Sequence, residues 1–74
     1  MTQICDLAFK THKGKNKIAE NGKHWFVELW RDEVKFTNDP GPWLLLRSLM
    51  TDEVRWVHRN FDPNFDIIRI GDKL

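Results

Sequence analysis

The stretch Trp43-Leu-Leu-Leu-Arg-Ser-Leu-Met-Thr-Asp-Glu-Val-Arg-Trp-Val-His-Arg-Asn-Phe61 decides how this chain is read. Plotted at about 100° per residue, Trp43, Leu46, Met50, Val54, Val57 and Phe61 fall within about an 80° arc, flanked by Leu45, Leu49 and Trp56. Arg47, Ser48, Thr51, Arg55, His58 and Arg59 take the opposite arc. That pattern predicts an amphipathic helix. Pro42 suits its first position, where the missing N–H is not needed. Glu53 and Asn60 intrude on the apolar side and Leu44 on the polar side, so a break at Thr51-Asp52, with Thr51 capping a second short helix, is the alternative. Poor alternation of polar and apolar residues argues against a hairpin here.

Upstream of this helix the period is two. Cys5, Leu7 and Phe9 alternate with Asp6, Ala8 and Lys10, which predicts a strand over 3–10. Lys10-Thr-His-Lys-Gly-Lys-Asn-Lys17 reads as an exposed basic loop with Gly14 as its turn residue. Asn21-Gly22 is a type I′ turn signal, joining 17–20 to 24–30 as a hairpin. In the second arm Trp25, Val27 and Leu29 share one side and Phe26, Glu28 and Trp30 the other. Val34-Lys-Phe36 suits a short strand, stopped by Asn38-Asp-Pro-Gly-Pro42. After the turn Asp62-Pro63-Asn64, residues 65–70 read as a closing strand ended by Gly71-Asp72. The expected fold is α+β: a small antiparallel sheet of about four to five strands with one amphipathic helix across it, all in one domain over 1–74.

Composition narrows the function classes. Of the 74 residues, 41% are hydrophobic and 31% charged, which marks a chain that folds but leaves little material for a deep cleft. The single cysteine excludes an internal disulfide and points to a reducing cytoplasm. No continuous apolar run marks a leader or a membrane span. The three histidines lie scattered with no pair at ligand spacing, so no metal or other cofactor is expected. Ser48 sits on the polar helix face without a strained turn, and Cys5 alternates into a core face where a thiol is inert. Glu53 is the only carboxylate with a suspicious placement, and reaching solvent at a helix kink or pairing with Arg47 or Lys35 accounts for it. No catalytic constellation emerges, and an enzyme is not expected.

Binding is the class that remains. The net charge is +1, split as +3 over residues 1–31 and −2 over 32–74. Lys10, Lys13, Lys15 and Lys17 form one basic patch suited to phosphates or an acidic protein surface. Arg47, Arg55 and Arg59 form a second strip on the helix, where the planar guanidinium suits carboxylates or phosphates. Four tryptophans exceed what so small a core absorbs, and Trp30 with Phe26 is the pair expected outside, in hot-spot composition.

An amphipathic helix followed by Asn64-Phe-Asp-Ile-Ile-Arg-Ile-Gly-Asp72 resembles the ending of many very small bacteriophage proteins. Among them it is similar to phage-encoded proteins that bind and inhibit host RNA polymerase, a class that includes inhibitors of initiation and antiterminators. The resemblance covers the C-terminal half and carries no binding residue over. It implies a non-enzymatic partner of the polymerase, acting in the host cytoplasm, that blocks initiation or alters termination; a monomer is expected. The near-neutral charge departs from the acidic members that mimic DNA. The alternatives are a nucleic-acid-binding module using the lysine loop and helix arginines, and a small virion or structural component.

Overall fold

The computed structural model describes residues 3–71. Its elements are strand β1 (Gln3–Phe9), helix α1 (His12–Asn21), and strands β2 (His24–Arg31), β3 (Trp43–Ser48), β4 (Val54–His58) and β5 (Phe65–Gly71). All neighbours pair antiparallel in the order β4-β3-β2-β1-β5. The α+β class holds, but the helix lies elsewhere than the apolar periodicity predicts.

Trp43–Phe61 contains a β-hairpin and no helix. Leu44, Leu46 and Ser48 of β3 and Val57 of β4 point into the core, each fully buried, and Leu44 pairs with Val57 across the ladder. Trp43, Leu45 and Arg47 take the opposite face. Apolar residues therefore occupy both faces of β3, which erases the alternation that marks a half-buried strand. The turn is built by Ser48, whose Oγ accepts the N–H groups of Met50 and Thr51 at 3.1 and 3.2 Å, and by Asp52 in the left-handed region at φ 62°. Thr51 caps no helix. Pro42 lies in the loop after a cis bond, and its carbonyl accepts the Arg59 N–H at 3.0 Å.

The helix instead occupies the predicted basic loop and the first arm of the predicted hairpin. Thr11 is its N-cap, accepting the Gly14 N–H at 3.1 Å. Asn21-Gly22 closes it: Gly22, at φ 80°, donates its N–H to the Ile18 carbonyl at 2.7 Å. Only Gly14 and Asn21 are buried in it, with Lys17 and Ile18 half-buried beside them. Gly14 is no turn residue. A Cβ there would stand 2.3 Å from the Asn64 carbonyl oxygen, so glycine lets the helix lie against the segment before β5. The Val34–Phe36 segment is a turn, and no strand forms there.

The core is Cys5, Leu7, Trp25, Leu44, Leu46, Val57 and Phe65, with Ile18, Val27, Ile67 and Ile70 packed on it. The sheet curls around this cluster, and the Arg55 guanidinium sits 4.7 Å from the Phe65 ring centroid, spanning from β4 to β5. Asn21 ties the helix to the β3–β4 turn. Its side-chain amide donates to Glu53 at 2.9 Å, its carbonyl accepts the Ser48 hydroxyl at 2.6 Å, and its Oδ1 accepts the Thr51 hydroxyl.

Candidate protein-docking surface

The outer face of β2, β3 and β4 is a grid fixed by register. One row across the three strands is Leu29, Leu45 and Trp56; another is Phe26, Arg47 and Val54; a third is Arg31, Trp43 and His58. A bulge at Glu28 sets this arrangement. The extra residue turns Leu29 outward, away from the side of Trp25 and Val27, and turns Trp30 to the inner side opposite Leu44. The expected Phe26–Trp30 pair is thereby split between faces.

The loop 32–42 folds over one end of the grid. Phe36 meets Trp43 edge-on at 5.2 Å between centroids and Trp56 at 6.1 Å. Trp43 also meets His58 at 4.8 Å, and His58 meets Phe61 at 5.7 Å, so the rings form a continuous chain. His58 is fixed through both nitrogens. Nδ1 accepts the backbone N–H groups of Asn60 and Phe61 at 3.1 and 3.0 Å, which leaves the proton on Nε2 to be donated to the Pro40 carbonyl at 2.7 Å. Phe36 remains 59% exposed, Val54 51%, Phe61 80% and Leu29 38%. Leu29, Val34, Phe36 and Trp56 line an open groove of about 400 Å³ with Arg31, Glu33 and Lys35 at its rim.

The residues singled out in sequence are not brought together. Lys13 and Lys15 are exposed on α1, with Lys10 exposed just past β1, whereas Lys17 pairs with Glu20 and Glu53, each at 3.7 Å. The arginine strip does not exist. Arg47 lies on the outer face over the Phe26 ring, paired with Glu28 and Asp52; Arg55 lies on the inner face; Arg59 follows β4. Opposite faces of a strand replace one face of a helix. Trp30 is 44% exposed, as expected, but Phe26, expected outside with it, is half-buried under Arg47; Trp25 and Trp43 are buried and Trp56 is half-buried.

Comparison of the chain with family models, curated proteins and solved structures returns no match.

The nucleophile candidates have structural jobs. The Ser48 hydroxyl is consumed in the turn and the bond to Asn21. The Cys5 thiol is buried, and that burial, reinforced by Asp6, pushes its pKa up to about 12. Glu53 pairs with Lys17 and Asn21, not with Arg47 or Lys35. Among the described residues no three His, Cys, Asp or Glu side chains gather as metal ligands, and no helix is long and apolar enough to cross a membrane.

Leu29, Phe36, Val54 and Trp56 are the surface residues that sequence reasoning missed. A signal existed: four consecutive apolar residues, Trp43 to Leu46, describe a strand with two apolar faces, and only one of those faces can line the core of so small a sheet.

Proposed function

We propose that this chain is a non-catalytic binding module of the cytoplasm that docks on a protein partner through the outer face of β2–β4. The observation carrying this reading is the contiguous apolar surface of Leu29, Val34, Phe36 and Trp56, rimmed by charge. Aromatic anchors inside a polar rim form the usual anatomy of a protein interface. Bacterial RNA polymerase is the preferred partner, with inhibition of initiation or altered termination as the consequence. Its support is the resemblance of Asn64–Asp72 to phage inhibitors; the helical part of that resemblance falls with the hairpin at 43–61.

Affinity capture from a bacterial lysate at moderate salt, with the wild-type chain and a Leu29→Ser/Phe36→Ser variant, tests both parts. Polymerase subunits retained by the wild type and lost by the variant are expected. No polymerase subunit in the wild-type eluate overturns the partner, and equal capture by both chains overturns the docking face.

One observation favours nucleic acid as a second reading. Lys13 and Lys15 crowd the positive end of the α1 dipole, where they weaken the helix. Titration of labelled DNA and RNA at two salt concentrations checks it, since phosphate contacts give a steep salt slope.

A further inference from the structure

We propose that the free edge of β5 is self-complementary, and that two copies of this chain join along it as an antiparallel, two-fold symmetric pair. Strand β5 has one neighbour, β1, so its other edge is the end of the sheet among the described residues. The ladder with β1 slips by one residue at Ile68: Ile67 lies opposite Leu7, whereas Arg69 lies opposite Asp6. Ile68 is therefore outside the count. Without the bulge Asp66 and Arg69, three apart in sequence, would fall on opposite faces. With it they stand two register positions apart on the same outer face, beside Ala8 and Asp6 respectively.

That spacing determines what fits the edge. A second β5 running antiparallel about a two-fold axis at Ile67 places Asp66 of each copy opposite Arg69 of the other, giving two identical ion pairs on one face. Both side chains are exposed, and neither joins an ion pair among the described residues. Ile68, 62% exposed, lies beside the axis, where its copy meets it. A bulge and a charge are also the devices by which edge strands refuse pairing. Here the bulge aligns opposite charges with their own symmetry mates, so the edge rejects other strands and accepts itself. This replaces the monomer expected from sequence, and it leaves the apolar face of β2–β4 free.

Sedimentation velocity over rising concentration, into the high micromolar range, tests the pairing with the intact chain. The wild type is expected to show reversible dimerisation. Asp66→Arg alone sets Arg against Arg and Arg69→Asp alone sets Asp against Asp, and each is expected to weaken association by roughly ten- to thirtyfold. The double variant Asp66→Arg/Arg69→Asp restores the wild-type affinity. An equimolar mixture of the two single variants forms a heterodimer that neither forms alone. Far-UV circular dichroism verifies that every variant is folded. A wild type that stays monomeric, or a dimer indifferent to these charges, overturns the proposal.

Discussion

Cys5 shows how burial turns a reactive side chain into a structural one. Its folded pKa is about 12 against an ordinary 9.0, raised first by loss of solvent and then by Asp6, with Arg59 opposing. A raised acid pKa means the unfolded chain releases its proton first as pH rises. The contribution of Cys5 is thus fully present below pH 9 and declines as pH climbs toward 12. Denaturant midpoints measured across that window should fall with pH, and less steeply in Cys5→Ala than in the wild type. Gly14 gives the second prediction at this scale. Alanine is ordinarily the better helix former by ~1 kcal/mol, yet the Asn64 carbonyl stands where its methyl would go. Gly14→Ala should therefore destabilise the protein by about 1–3 kcal/mol, read from urea unfolding. A gain in stability would mean that the helix does not pack on this segment.

Helix α1 is an element that propensity alone does not explain. At ten residues it is too short to persist in isolation, and its first turn carries no acid while Lys13 and Lys15 load it with positive charge. Tertiary contacts hold it: Ile18 on the core, Gly14 against Asn64, and Asn21 in the β3–β4 turn. Lys13→Glu should raise stability by about 0.3–1 kcal/mol, an effect that shrinks with added salt in denaturant titrations. The ends of this helix were legible. Thr11 is an N-cap type and Asn21-Gly22 a C-terminal stop, but the interior shows Ile18 as its one large apolar residue, and the eye goes to charge. Over 43–61 the converse holds. Apolar density satisfied the helical period because both faces of the hairpin are apolar, while the polar triplet Thr51-Asp52-Glu53 marked the turn.

At the scale of the whole molecule, the curled sheet divides the aromatic residues between two tasks. Trp25 and Phe65 fill the inner side, and Phe36, Trp43 and Trp56 gather on the outer side, where loop 32–42 covers only part of them. The edge of β5 and the apolar face of β2–β4 lie at different places on the sheet, so the proposed self-pairing and the proposed docking would not compete. The sequence by itself determined the α+β class, the buried Cys5, the first and last strands and the exposure of Trp30. Those properties follow from local period and residue chemistry. Only the tertiary structure decided which segment is the helix, that Arg47 and Arg55 part to opposite faces, and that Asp66 and Arg69 share one. Each of these depends on strand partners distant in sequence and on bulges at Glu28 and Ile68, and a one-residue slip reverses every side chain beyond it.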